Sequence, residues 1–282
     1  MADSVIIGKI QENYHHLAPR ARQVADYILK NPRSVVYLSI TELAEACAVS
    51  EPTVTRLCRT IGLAGYQELK FTISREFVNP LANIHEEVNE LDDITDVAKK
   101  LAKSHVASIE STLEGMDWPQ LTRAASAIEA AQRLEFFGAG NAACVAESAH
   151  NKFMRVGFYS RFLPDSHGQL MSASMLGPGD VAVAVSSSGT TKEMIDVVKA
   201  AKNGGATTIC IIGRPNAPLA KVSDIRLVTS APETFYRGES MENMIAQIYI
   251  LDTLFITLAL RRKELFLTNL EKTRKALAVR KL

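Results

Sequence analysis

After Asp180 the chain runs Val181-Ala182-Val183-Ala184-Val185 and passes directly into Ser186-Ser187-Ser188-Gly189-Thr190-Thr191, with a helical pattern from Lys192 onward. A short run that is apolar at every position suits a strand covered on both faces, the condition of a parallel sheet packed between helices. Residues 207–212 are likewise apolar almost without alternation, and 134–137, 158–162 and 225–228 are further candidate strands, each closed by Gly, Ser or Pro. Helices are expected after the first, second and third. This βαβ punctuation predicts an α/β fold with a five-stranded parallel, doubly wound sheet flanked by helices.

The first 77 residues read differently. They are helical throughout, with few glycines and no strand-like alternation. Ala21, Val24, Ala25, Ile28 and Leu29 form one apolar stripe, and Asn31-Pro32 ends that helix. Ser39 and Glu42 have the spacing of a capping box, opening a short helix that buries Ile40, Leu43 and Ala44. A four-residue turn from Cys47 follows, closing on a second N-cap candidate, Ser50, with Pro52 in the next helix's first turn. There Val54, Leu57, Cys58 and Ile61 repeat at helical spacing, which leaves Thr53, Thr55, Arg56, Arg59 and Thr60 facing outward. Short hydroxyls near a helix start and arginines along it suit a helix that enters the major groove. A plain helical hairpin would show the same apolar spacing.

At 282 residues two domains are the natural expectation. Residues 1–77 form the helical domain, 78–95 (rich in acids, with Asn79-Pro80) a linker, and 96–282 the α/β domain with flanking helices. The stretch from Asp96 to Ala131 should be helical, broken near Gly115 and at Trp118-Pro119, with Trp118 packing in the interior. A hydrophobic share of 47% with 22% charged residues excludes a disordered chain. The N-terminus lacks the basic-then-apolar order of a secretory signal, and no apolar run approaches the roughly 20 residues that span a bilayer. Cys47, Cys58, Cys144 and Cys210 are scattered singly, so neither a zinc site nor a disulfide framework is expected, and a reducing cytoplasm fits. The net charge of +1 carries no sign of nucleic acid. Locally, Arg56, Arg59, Lys70 and Arg75 stand against Glu68, while the basic run from Arg261 reads as a solvated helical face.

Two strand-to-helix loops carry candidate chemistry. Gly138-Ala139-Gly140-Asn141 lets backbone N–H groups approach a ligand at a helix N-terminus. It resembles part of a dinucleotide fingerprint, with Ala143 at the third glycine position, and this spacing leaves a nucleotide open. The loop at 186–191 places five hydroxyls on six residues at a helix start. Hydroxyl donors, backbone N–H groups and the positive helix end together suit a phosphate without a lysine, whereas one hydroxyl would suffice for a cap.

The run LSITELAEACAVSEPTVTRLCRTIGLAGYQELK, including its S-x-x-T-V-x-R pattern and the trailing Gly62 to Tyr66, resembles the DNA-binding domain of the RpiR family of bacterial regulators. The hydroxyl loop, FFGAG and the surrounding strand pattern from about residue 125 to 262 resemble the sugar isomerase (SIS) domain, a phosphosugar-binding fold. Together they follow the RpiR order, in a form similar to HexR-like regulators of sugar catabolism. The resemblance implies contacts with a double-stranded DNA operator by Ser50, Thr53, Thr55 and Arg56, to which the outward face of the helix adds Arg59. It implies a phosphorylated sugar or sugar acid as effector, held by Gly138, Gly140, Asn141, Ser186, Ser187, Ser188, Thr191 and Glu239. Asn141 stands where many members have Ser, keeping hydrogen-bonding capacity with a different reach. A homodimer or tetramer with no cofactor, metal or membrane is expected, the effector shifting the spacing of paired recognition helices. The alternative is a sugar-phosphate isomerase with an accessory helical domain. Its base would come from His150, Asp165, His167 or Glu239, none of which forms a recognisable acid/base pair; His150 is expected to pack on its helix and His167 to cap the next one.

Overall fold

A computed structural model describes residues 5–36, 38–77, 88–89, 91–230 and 241–278. They divide into two compact units, one ending at Val97 and one beginning at Ala98. Most of the expected linker, residues 78–87 and 90, lies outside the described residues.

The N-terminal unit is helical: α1 Val5–Asn13, α2 Pro19–Lys30, α3 Pro32–Val35, α4 Ile40–Ala46, α5 Glu51–Thr60 and α6 Tyr66–Phe77. One core gathers Ile6 and Ile10 of α1, Val24 and Ile28 of α2, Leu43 of α4, Val54 and Leu57 of α5, and Leu69 and Ile73 of α6. The expected stripe of α2 is buried except for Leu29, which packs at its margin. The capping box that opens α4 is formed in both directions: Glu42 N donates to Ser39 Oγ at 3.1 Å, and Ser39 N to Glu42 Oε2 at 2.7 Å. Between α4 and α5 the backbone turns through Ala48 at φ 51°, the only non-glycine residue at positive φ among the described residues. That conformation lets Val49 N reach Ala44 O at 2.9 Å and closes the turn. A Cβ there crowds the following carbonyl, and a β-branched side chain crowds it most.

The C-terminal unit begins within α7 Ile94–Glu114, passes through α8 Trp118–Ala130 and continues β1 Leu134–Gly138, α9 Asn141–Arg155, β2 Ser160–Phe162, α10 Ser166–Ser174, β3 Val181–Ser186, α11 Lys192–Asn203, β4 Thr207–Ile212, α12 Pro218–Val222, β5 Ile225–Val228, α13 Met241–Arg261 and α14 Lys263–Ala278. The five strands form one parallel sheet in the order β2-β1-β3-β4-β5. Alternate residues serve opposite layers. Leu134, Phe136, Val181, Val183, Val185, Ile209 and Ile211 pack against residues of α8, α9 and α13. Phe137, Ala182, Ala184, Cys210 and Ile212 pack against α10, α11 and α12. Right-handed crossovers account for this division, because the chain moves outward from β1 to β2 and then returns past β1 to β3. The loops after β1 and β3 therefore leave neighbouring strands in opposite directions, and a crevice opens at the carboxyl ends of those strands.

Several expectations need correction. The second strand begins at Ser160, two residues later than expected, because Phe158 N caps α9 by donating to Phe153 O while Gly157 takes φ 97°. A short helix, α12, follows the fourth strand as well. Trp118 is 56% exposed rather than packed: it is the first residue of α8, and burial in that helix begins one turn later, at Leu121. α13 is long and apolar enough by composition to cross a membrane, a stretch the sequence reading passed over. Its Ala246, Ile250, Leu251, Leu254 and Leu258 lie in the core, and the buried polar residues Glu242, Asn243 and Gln247 mark it as an interior helix.

Replacing Ala48 by Val should destabilise the N-terminal unit by about 1–2 kcal/mol, since a β-branched residue at positive φ is strained, whereas Ala48→Gly should stay within about 0.5 kcal/mol of wild type. Urea denaturation followed by circular dichroism measures both; equal effects of the two substitutions would show that the turn relaxes.

Candidate functional site

The exposed face of α5 is assembled from its first two turns. Ser50 stands at the N-cap, but its hydroxyl pairs with the Thr53 hydroxyl at 3.0 Å instead of capping a backbone N–H. Thr53 is buried, against the expectation that it faces outward. It lies four residues before Leu57 and so falls on the edge of the apolar stripe, where the Ser50 hydroxyl satisfies it. Thr55 is half-buried, with Oγ1 donating to Glu51 O at 3.2 Å, while Arg56 and Arg59 are exposed. Arg56 Nε donates to Pro52 O at 3.3 Å. The result is a face with two arginines and short hydroxyls, backed by a fully apolar stripe.

The second site lies in the crevice between β1 and β3. Ala139, Ala142, Val185, Ser186, Ser187, Ser188, Thr191 and Met194 line a cleft. The loop after β3 is fixed from behind: Gly213 N donates to Ser187 O and Leu219 N to Gly189 O, both at 3.0 Å. Ser186 Oγ accepts from Gly189 N at 3.1 Å, and Ser188 Oγ accepts from Thr190 N at 3.3 Å and pairs with Thr190 Oγ1 at 3.0 Å. A serine oxygen that accepts within the loop keeps its own proton to donate. Thr191 sits at the N-cap of α11 with no side-chain cap hydrogen bond, so its hydroxyl does not satisfy the first turn of a helix whose positive end faces the cleft. Rigid donors with no lysine or carboxylate among the lining residues suit an anion.

Opposite this loop, Gly140 takes φ 58° and ψ −132° at the N-cap of α9, a conformation suited to glycine, and Asn141 is the exposed first residue of that helix. A Cβ at Gly138 would lie 2.6 Å from Ala142 O, so the close approach of β1 to α9 requires glycine there. Two residues that the sequence reading missed hold these loops. Buried Gln169 of α10 donates from Nε2 to Gly138 O and Leu163 O, both at 2.9 Å, and accepts from Gly138 N at 3.3 Å. Buried Gln247 of α13 donates from Nε2 to Ser187 Oγ at 3.3 Å. Both glutamines are far in sequence from the loops they hold, so no local pattern marks them.

Among the described residues, the candidate acid/base groups His150, Asp165 and His167 do not line the cleft. His150 lies on α9 with Nδ1 3.0 Å from Ser160 Oγ; burial lowers its pKa, and Glu147 partly offsets the shift. Asp165, rather than His167, caps α10 by accepting from Gly168 N at 2.7 Å, and His167 is exposed. An aspartate at the N-cap position has the reach for that bond; His167 is already inside the first turn. Glu239 lies outside the described residues.

Residues 5–80 match the family model of the helix-turn-helix domain of the rpiR family, and residues 127–257 match that of the SIS domain. An HTH-type transcriptional regulator of Caldanaerobacter subterraneus subsp. tengcongensis is 37% identical, with the match covering 98% of each chain. The bifunctional protein glk of Paraburkholderia xenovorans is 34% identical over 93% of this chain, which spans only 41% of that protein. The Vibrio vulnificus NanR protein complexed with ManNAc-6P superposes with a TM-score of 0.83 at 27% identity, covering 98% of this chain and 99% of that one. The sugar isomerase domain of an RpiR transcription factor from Sphaerobacter thermophilus shares the fold, with a TM-score of 0.58 at 19% identity over 64% of this chain and 98% of that one.

Gln169→Ala removes three hydrogen bonds around Gly138 and leaves buried backbone groups unpaired. It should cost about 2–3 kcal/mol of stability. Urea denaturation measures the loss; a change below about 0.5 kcal/mol would mean that Gln169 does not hold the loop.

Proposed function

Because the chain belongs to the rpiR family of helix-turn-helix transcriptional regulators and carries a SIS domain, we propose that it is a cytoplasmic regulator of carbohydrate metabolism whose SIS domain binds a phosphorylated sugar as effector. The observation that carries this reading is the loop at 186–191: serine and threonine hydroxyls, held from behind by Gly213 and Leu219, at the positive end of α11 and beside the Gly138–Asn141 turn. Ser186, Ser187, Ser188 and Thr191 hold the phosphate, and Gly138, Gly140 and Asn141 form the wall where the sugar lies. The ManNAc-6P in the solved complex of the V. vulnificus protein belongs to this chemical class. Glu239 completes the effector set.

On DNA, α5 is the recognition helix. Arg56 and Arg59 reach base edges or phosphates, and Ser50 and Thr55 approach the backbone. Thr53 acts from behind, as the partner that sets the Ser50 hydroxyl. The functional division runs 1–77 for DNA, 78–95 as linker and 96–282 for the effector. The protein acts as a homodimer or tetramer, since a two-fold operator is read by paired helices. In this reading it performs no chemistry on the sugar: an isomerase needs a base at two adjacent carbons, His150, Asp165 and His167 are engaged or placed elsewhere, and Glu239, outside the described residues, serves to bind the sugar.

Two variants test the reading. Ser186→Ala with Ser188→Ala should weaken binding of ManNAc-6P, or of another sugar phosphate found by thermal shift, by about 100-fold or more in calorimetry, since each bond to a charged phosphate is worth about 1.5–3 kcal/mol. Undiminished affinity would move the phosphate to the Gly138–Asn141 turn. Arg56→Ala should cost about 1–3 kcal/mol in DNA affinity at fixed salt and leave sugar binding intact. A gel-shift titration reads this, and an unchanged midpoint would remove Arg56 from the interface.

A further inference from the structure

α7 is seated on its own unit in an unusual way. Of its 21 residues only Ser108 and Thr112 are buried, and both are hydroxyl-bearing. Ser108 Oγ donates to Glu242 O at 3.0 Å, Ser104 Oγ donates to Glu242 Oε1 at 3.1 Å, and Thr112 Oγ1 accepts from Ser230 N at 3.0 Å. These bonds grip the first turn of α13 and the residue that follows β5 by two positions. Glu242 itself is 2% exposed, so its carboxylate is held inside the fold.

The same turns of α13 hold the hydroxyl loop. Asn243 accepts from Thr229 Oγ1 at 2.6 Å and lies against Gly213, where an added Cβ would come within 2.9 Å of the Asn243 amide. Gly213 N in turn donates to Ser187 O, and Gln247, one turn further along α13, donates to Ser187 Oγ. One end of α13 thus touches the loop at 186–191 on one side and α7 on the other. Hydrogen bonds of this kind are lost over a shift of about 1 Å, because their strength falls steeply with distance and angle, whereas apolar packing tolerates such a slide. A shift of that size would therefore break the hold of α13 on α7 at these bonds.

We infer that the seam of Ser104, Ser108 and Thr112 on Glu242 and Ser230 transmits effector occupancy at the hydroxyl loop to α7, the element through which the chain arrives from the DNA-binding unit. The inference rests on the proposed assignment of the loop as the phosphate site. An anion on the loop draws Ser187, and Gln247 and Gly213 carry that shift into the first turns of α13. Glu242 then strengthens or releases its hold on α7.

The test is hydrogen–deuterium exchange on the full chain, with ManNAc-6P and inorganic phosphate as probes. In the wild type a bound probe should slow exchange in residues 187–194 and also in residues 104–112, the latter by about fivefold, the low end of usual coupling between sites. Ser104→Ala with Ser108→Ala removes both donors while keeping good helix formers in α7. In this variant the probes should protect 187–194 as before, and the protection of 104–112 should fall below about twofold, no longer distinguishable as coupling. Should the double variant fail to fold by circular dichroism, Ser104→Ala alone, at a half-buried position, gives the same comparison with a partial loss. Protection of 187–194 without any change at 104–112 in the wild type would overturn the inference and leave the phosphate site standing, as would full protection of α7 in the double variant. Protection of neither region would overturn the phosphate site and the inference together.

Discussion

Strands β1 and β3 are neighbours in a parallel sheet, yet the chain leaves them in opposite directions, through α9 on one layer and α11 on the other. Two helix N-termini therefore face one crevice, and whatever binds there meets positive helix ends and backbone N–H groups before it meets any side-chain charge. The rest of the site follows from filling that geometry. Gly138 is required because β1 and α9 approach too closely for a Cβ, and Gly140 because the turn takes a positive φ. The hydroxyls of 186–191 supply donors without occupying the volume that a lysine or arginine would take.

The N-terminal unit answers a different demand. A helix that reads DNA must be held rigidly while its outer face stays free, and α5 meets this by burying Val54, Leu57 and Cys58 against the helical core. The capping box that opens α4 and the Ala48 turn fix the angle at which α5 leaves the preceding helix. Ser50 and Thr53 use their hydroxyls on each other, which ties the N-terminal end of α5 together.

What the sequence made legible was periodic or local. Strands β4 and β5 span the residues expected of them, and the capping box of Ser39 and Glu42 is visible because both partners lie within one turn. The hydroxyl loop stood out because its composition exceeds what a cap needs. Misreadings arose where two neighbouring roles compete for one residue: Thr53 sits on the boundary of the apolar stripe, His167 stands beside the stronger cap Asp165, and Phe158 ends a helix instead of starting a strand. Gln169, Gln247 and Glu242 were illegible because their meaning lies entirely in tertiary contacts. Gln169 meets Gly138 across 31 residues, and Ser108 meets Glu242 across 134.

The account stands on one linkage, between an anion in the crevice of the sheet and the DNA affinity of α5. It is measured by fluorescence anisotropy of a duplex that the protein itself selects from genomic fragments, titrated with the full chain without ligand and with a saturating sugar phosphate shown by calorimetry to bind. The account predicts midpoints that differ by about 5- to 150-fold, the usual span of coupling between two sites. Superimposable curves with the ligand bound would contradict it.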